Sequence, residues 1–361
     1  MSLREEIGQQ PEVARRLLDG QLSAIERIAA AVAERPIGGI MIAARGTSDH
    51  AAIYAQYLFG AFHQLPVALA APALVSVYSR APRLQEWLTI GISQSGKSPD
   101  VVGVITAARG QGGRTVAISN DPDSELARSA EFHIDVSAGP ELAVAATKTY
   151  TAELLAVAAL ASAYWPPNQD SGREPGQEPF GGAREARMEA LRQVPGALQE
   201  VLGVEPDAER IAGERRDMDQ CIVLGRGFEY ATAREWALKL KELAQVGADP
   251  YSPPDFEHGP LALVEPGYSV LAIAPSGLAA RDVVRLLRRL RTDFDVDLVV
   301  ISDDSPTREL GAAMALPSGL PEWLTPIVSI VPAQLFAYHL TRAKGLSTET
   351  PRWISKVTLT R

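Results

Sequence analysis

Short apolar runs rich in Val, Ile and Ala alternate along this chain with longer stretches whose apolar residues recur at helical spacing. Runs such as GGIMIA, LTIGIS, CIVL and LVVIS are apolar on consecutive positions, the pattern of strands covered on both faces. The segment PDVVGVITAAR after LTIGIS predicts a helix that starts near Pro99, where proline is tolerated because the first-turn N–H has no partner anyway. Strands alternating with helices predict a parallel sheet with helices on both faces. Folds of this class bind ligands where the loops leave the carboxyl ends of the strands.

The pattern occurs twice. An apolar run, a turn around Gly46 and a helical stretch in GGIMIAARGTSDHAAIYAQYL reappear around Gly227 in CIVLGRGFEYATAREWALKL, 181 positions later (227 minus 46). GISQSGKSPDVVGVI likewise answers to AIAPSGLAARDVVRLL, with Gly96 and Gly277 again 181 apart (277 minus 96). TVAISNDPDS and LVVISDDSPT set Ser119 against Ser302 at a spacing of 183 (302 minus 119). Three features at a nearly constant offset imply two copies of one domain. Between them WPPNQDSGREPGQEPFGGAR, dense in Pro, Gly and polar residues, reads as an exposed linker. The expected organisation is an N-terminal helical segment (1–24), a first domain (25–165), a linker and helix (166–204), a second domain (205–345) and a C-terminal tail (346–361).

Composition narrows the partners. The net charge of -9 repels a phosphate-rich polymer over most of the surface, so nucleic acid is not expected, whereas a small phosphorylated metabolite needs only one local pocket of donors. The single cysteine, Cys221, lies in an apolar run and reads as a core thiol in a reducing compartment. The N-terminus has charges of both signs and no apolar stretch, so no export signal is expected. TAELLAVAALASAYW is too short, and too interrupted by Glu153, to cross a bilayer; the expectation is a cytoplasmic protein with no membrane contact.

Gly91 to Ser98 fits the phosphate-loop pattern G-x-x-x-x-G-K-[ST], which would mean a nucleotide. The second copy builds the same turn as APSGLAARD without a Gly-Lys pair, so Lys97 is incidental to the architecture. The nucleophile elbow G-x-S-x-G also fails, because Ser95 stands where its second glycine belongs. What remains is a strand-to-helix turn with Ser93, Gln94, Ser95 and Ser98. Hydroxyls, an amide and free N–H groups at a helix N-terminus favour an anion, although an ordinary polar turn with a serine cap has the same composition.

In REWALKLKEL, Glu235, Lys239 and Glu242 share one helical face beside an apolar stripe of Trp236, Leu240 and Leu243. That spacing suits an acid-base group and equally suits ordinary ion pairs on a solvated helix. His258 in DFEHGPLAL can exchange a proton near neutral pH, but a lone loop histidine is commonly structural. The remaining histidines lack the spacing of a metal site, so neither metal nor cofactor is expected.

Taken together, ARGTS, ISQSG, AVAATKTYTAEL, LGRG, ALKLKE, HGPLALV and SKVTL, in this order from about Gly38 onward, resemble the sugar isomerase (SIS) family. The resemblance is to the isomerase half of the glutamine:fructose-6-phosphate amidotransferases. It implies two tandem SIS domains, each a doubly wound, flavodoxin-like αβα sandwich with a parallel sheet. It also implies that Ser93, Gln94, Ser95 and Ser98 hold a sugar phosphate, and that Thr47, Ser48, Val144, Ala145 and Ser355 line the sugar. Lys239 and Glu242 become the proton-transfer pair, His258 the ring-opening group donated across a homodimer, and Lys356 a lysine able to form a Schiff base with the open ketose. Glu257 departs from the family, which is often basic before this histidine.

An aldose-ketose interconversion moves a proton between adjacent carbons, so one carboxylate beside both can act as base and then acid. The family's glutaminase uses a first-position cysteine, and the only cysteine here is at 221. The expected activity is therefore glucosamine-6-phosphate deamination to fructose 6-phosphate and ammonia. The alternatives are an isomerase or deglycase for another amino or fructosyl-amine sugar phosphate, of synthase-like or tagatose-6-phosphate type, and a non-catalytic sugar-phosphate sensor.

Overall fold

A computed structural model describes residues 2–166, 180–354 and 356. Most of the expected linker falls on 167–179, outside the described residues, as does Ser355 in the tail. The described chain forms two compact units. One holds residues 12–141 and 148–193; the other holds 2–11, 142–147 and 194–356.

The first unit carries strands β1 (Gly39–Ala43), β2 (Val67–Leu69), β3 (Trp87–Ile92), β4 (Arg114–Ser119) and β5 (Phe132–Asp135) in the order β2-β1-β3-β4-β5. All pairs are parallel, with Ile90 opposite Ile42 on one side and Val116 on the other. The second unit carries β6 (Gln220–Leu224), β7 (Gly247–Tyr251), β8 (Ser269–Ile273), β9 (Asp297–Ser302) and β10 (Ala312–Ala315) in the order β7-β6-β8-β9-β10. The two orders are the same, so the duplication read from glycine spacings is a duplication of topology. Ser119 and Ser302 both end the fourth strand of their copy. Pro250 sits on β7, an edge strand, where a missing N–H costs no ladder bond.

The 2-1-3-4-5 order reverses direction between the first and third strand of each sheet, and the loops that leave those strands flank the crevice where such folds hold ligands. In the first unit these are the turns after β1 and β3, which contain Thr47 and Ser93 to Ser98. Packing fixes the helices around them. In Ala280–Phe294, Val283, Leu286, Leu287 and Leu290 lie at i, i+3, i+4 and i+7 and pack on Ile222, Val270 and Val300, while the arginines face outward. Burying each such leucine contributes about 1.5–3 kcal/mol. Val101 and Ile105 of helix Pro99–Gly110 pack the same way on Ala117 and Leu126.

Two helices are apolar almost all round and run through the cores: Lys148–Ala163, buried along its whole length, and Thr325–Ala343. Among the described residues, Glu322–Ala343 is long and apolar enough to cross a membrane, and 94% of that window is buried inside the fold, as for a core helix. Cys221 is buried on β6, and desolvation pushes its thiol up to about 12.

Candidate active site

The serine-rich turn forms a cradle at the N-terminus of helix Pro99–Gly110. Its turn closes through the Gly96 N–H donating to the Ser93 carbonyl at 3.2 Å, and the Leu126 N–H donates to the Gly96 carbonyl at 3.0 Å. Gly96 has φ +61°, the left-handed region, and a Cβ there would collide with the side chain of Ser124. Ser98 occupies the N-cap position, yet its hydroxyl makes no capping bond and is a buried oxygen with no hydrogen-bond partner. An orphaned buried hydroxyl at a helix N-terminus is the arrangement expected of a site that awaits an acceptor. Ser95 Oγ accepts from the Lys97 N–H at 3.3 Å, and Gln94 Nε2 donates to Glu141 Oε2 at 2.6 Å. Lys97 itself points to solvent.

One contact beside this turn escaped the sequence. Arg45, on the loop after β1, donates to Asp100 in the first turn of the helix, with Nη2 2.6 Å from Oδ2. Asp100 is 3% exposed, so the guanidinium neutralises a buried acid beside the cradle. Thr47 opens helix Thr47–His63 and is half-buried. Ser48 is buried and its hydroxyl donates to Glu153 Oε1 at 2.9 Å, which also explains the acid inside that core helix.

The other candidates lie in the second unit. Helix Glu229–Ala244 buries Trp236, Leu240 and Leu243 and packs against Thr325–Ala343, where Trp236 meets Phe336 edge to face at 5.5 Å. Its N-terminus is tied down by Glu229, which accepts from Thr325 Oγ1 at 2.6 Å and Ser329 Oγ at 2.7 Å. Burial pushes the Glu229 carboxyl pKa up, against the pull of those hydroxyls.

On the adjoining face the ion pairs are not solvated. Lys239 is 1% exposed, with its Nζ 3.2 Å from Glu235 and 2.6 Å from Glu242; Glu235 is fully buried. Burial pulls the Lys239 pKa down, but the two carboxylates outweigh it and hold the Lys239 pKa above its ordinary value. Glu242, with its side chain 23% exposed, is the member of the three that reaches the surface. It borders a cleft of about 440 Å³ with Lys241, Gln245, Arg352, Trp353 and Ile354, a volume within the range of small-molecule sites. The tail reaches that wall through Arg352, which donates to Gln245 Oε1 at 3.2 Å.

Val144 and Ala145 lie in the short segment 142–147 that belongs to this second unit. Glu6, completely buried, anchors the segment by accepting from the Leu142 N–H at 2.5 Å and the Ala143 N–H at 3.1 Å. His258 follows the short helix Pro253–Glu257, and its imidazole is exposed with no side-chain hydrogen bond among the described residues. Glu257 beside it is bound by Arg285 at 2.9 Å and Arg289 at 3.2 Å, and the Arg285 bond holds its carboxyl below the usual range. Lys356 is half-buried at the end of the described tail. The candidates thus form two sets: Thr47, Ser48 and the cradle in one unit, and Glu242, Lys239, Val144, Ala145, His258 and Lys356 in the other.

The arrangement matches known proteins over nearly its whole length. A glutamine-fructose-6-phosphate aminotransferase (isomerizing) from Symbiobacterium thermophilum is 31% identical over 98% of this chain, and the chain spans 58% of that relative. The C-terminal domain of glucosamine-fructose-6-phosphate aminotransferase from Francisella tularensis has the same fold, with a TM-score of 0.84 at 24% identity over 97% of this chain and 98% of that one. A glucosamine-6-phosphate deaminase from Thermotoga maritima shares the fold at TM-score 0.74 and 19% identity, over all of both chains. A tagatose-6-phosphate ketose/aldose isomerase from Escherichia coli does so at 0.77 and 20%, over 98% and 95%. The SIS domain family matches twice, at residues 36–163 and 216–343, and this chain belongs to it as a tandem pair of SIS domains.

Proposed function

We propose that the chain is a phosphosugar isomerase that deaminates glucosamine 6-phosphate to fructose 6-phosphate. The observation that carries this reading is the buried Lys239 ammonium held between Glu235 and Glu242, with Glu242 alone reaching a cleft of sugar size. A lysine kept protonated suits electrostatic work and proton donation, because a nucleophilic amine must be neutral. In this reading Ser93, Gln94, Ser95 and Ser98 hold the phosphate, and Thr47, Ser48, Val144, Ala145 and Ser355 bound the sugar. The exposed His258 imidazole opens the ring in a partner subunit of a homodimer, and Lys356 is the lysine that forms a Schiff base with the open ketose.

Glu242 takes the C2 hydrogen of the open aldose as a proton and returns it to C1, leaving an imine at C2. Lys239 meanwhile neutralises charge that develops on the substrate oxygen. Water adds to the imine carbon and ammonia leaves, so one sugar phosphate and one water give one fructose 6-phosphate and one ammonia. The assay is ammonia release from glucosamine 6-phosphate, expected in equal amount with fructose 6-phosphate. Turnover of tagatose 6-phosphate without ammonia from the amino sugar would select the ketose isomerase instead. Tight binding with no turnover of either would select a sensor.

A further inference from the structure

Helix Leu3–Gly8 carries a charge where its packing calls for an apolar side chain. Leu3, Glu6 and Ile7 lie at i, i+3 and i+4 on its inner face, and all three are completely buried. That helix packs on Thr325–Ala343. A leucine at position 6 would suit the packing, whereas a buried carboxylate is costly unless hydrogen bonds offset its lost hydration. The bonds that offset it come from the Leu142 and Ala143 N–H groups, in the irregular segment 142–147. Backbone N–H groups bound to an ionised acceptor make the stronger class of hydrogen bond.

The far end of the same segment is held as well. Gln10, also buried, donates from Nε2 to Gln334 Oε1 at 2.8 Å, and Gln334 Nε2 reaches the Thr147 carbonyl at 3.5 Å. The helix is itself fixed to the second unit by Arg4, which hydrogen-bonds Glu205. It also holds the tail: the Leu3 N–H donates to the Glu349 carboxylate, 3.2 Å from Oε1 and 3.3 Å from Oε2, shortly before Arg352 and the cleft that Glu242 borders. One short helix thus carries both the segment with Val144 and Ala145 and the start of the segment with Lys356.

We propose that Glu6 is a positioning residue of the sugar site, fixing the segment 142–147 in the conformation in which Val144 and Ala145 border the substrate. Glu6 does not touch the sugar; it acts through the backbone of Leu142 and Ala143. Its carboxylate offers two acceptor oxygens to two adjacent donors, and an amide of the same size offers only one. In Glu6→Gln one of the two N–H groups faces an NH2 group and loses its bond. The inference rests on the proposed place of Val144 and Ala145 beside a sugar phosphate, and does not require deamination.

The test measures hydrogen exchange of the full chain with and without glucosamine 6-phosphate, and the calorimetric Kd for that sugar, in wild type, Glu6→Gln, Glu6→Asp and Arg215→Met. Arg215→Met is the control for mere destabilisation, since it breaks the bond to Asp297 elsewhere in the same unit. In wild type the sugar phosphate should slow exchange across 142–147. Glu6→Gln should speed exchange of that segment, and raise the Kd, by at least about tenfold, as expected for one lost bond to a charged group, while β8 and β9 exchange as before. Glu6→Asp, with its charge on a shorter stem, should fall between the two, and Arg215→Met should bind as wild type does. Wild-type affinity in Glu6→Gln, or exchange that rises equally throughout the second unit, overturns the proposal. If neither Glu6 variant folds, wild type decides: slowing across 142–147 supports the proposal and its absence overturns it. Slowing there without ammonia release refutes deamination and leaves this inference standing, whereas ammonia release without slowing refutes this inference alone.

Discussion

Replacing Lys239 with methionine keeps most of the buried stem and removes only the ammonium. Glu235, fully buried, then loses the positive charge 3.2 Å away, and Glu242 loses its partner at 2.6 Å. At an effective dielectric of about 20, the first of these contacts alone is worth about 5 kcal/mol of attraction. Breaking a buried pair from one side typically costs about 3–5 kcal/mol, since the remaining charge keeps its desolvation penalty. At roughly 2–4 °C per kcal/mol for a domain of this size, the melting temperature is expected to fall by about 6–20 °C. The deficit should be flat through neutral pH: a lysine whose folded pKa is raised contributes fully below its ordinary value of 10.5 and loses that contribution only as pH rises through the raised value. Circular dichroism melts and urea midpoints of Lys239→Met, Glu235→Gln and the double variant make the test. The double variant should recover most of the loss, because no buried charge is then left without its partner. A single variant within about 1 kcal/mol of wild type, or a double variant no better than the single, would refute the reasoning.

Three further expectations rest on single contacts. Arg4 hydrogen-bonds Glu205 and thereby lowers its pKa from 4.5, so Arg4→Met should cost about 0.5–1 kcal/mol at neutral pH. Because a depressed carboxylate contributes its stability above the unfolded value, the gap should close as pH falls through the folded one, which urea midpoints against pH will show. Gly96→Ala should destabilise by at least about 1–2 kcal/mol through its left-handed φ, with the Ser124 collision added, and should weaken the binding of inorganic phosphate measured by calorimetry. Cys221, buried with its thiol at about 12, should be inert to an aromatic disulfide reagent in the native protein and react on unfolding.

Much of this was legible in the sequence, for identifiable reasons. Glycine at a left-handed turn is hard to replace, so Gly46, Gly96 and their counterparts kept the register of the duplication visible. Consecutive apolar runs gave the strands, because a parallel sheet covered on both faces leaves no polar alternation. The burial of Lys239 was not legible: Glu and Lys at helical spacing look the same on a wet face and a dry one, and only the packing of the neighbouring helix decides. Glu6 was invisible for a different reason, since the amide of Leu142 that it binds lies 136 residues away. Arg45 lies on the loop after β1 and Asp100 in the first turn of the helix after β3, and only the sheet order brings them together, so no local pattern announces their contact.

The central proposal is that Glu242 carries one proton between C1 and C2 of a sugar phosphate. Glucosamine 6-phosphate incubated with the enzyme in deuterium oxide, followed by proton NMR, tests it directly. Wild type should deliver the substrate's C2 hydrogen to C1 of the fructose 6-phosphate formed, with solvent deuterium entering there only as far as the carboxyl proton exchanges before transfer, Glu242→Gln should leave the substrate's C2 hydrogen untouched, and Ser95→Ala should need far more substrate for the same rate. Full exchange and turnover by Glu242→Gln would contradict the account.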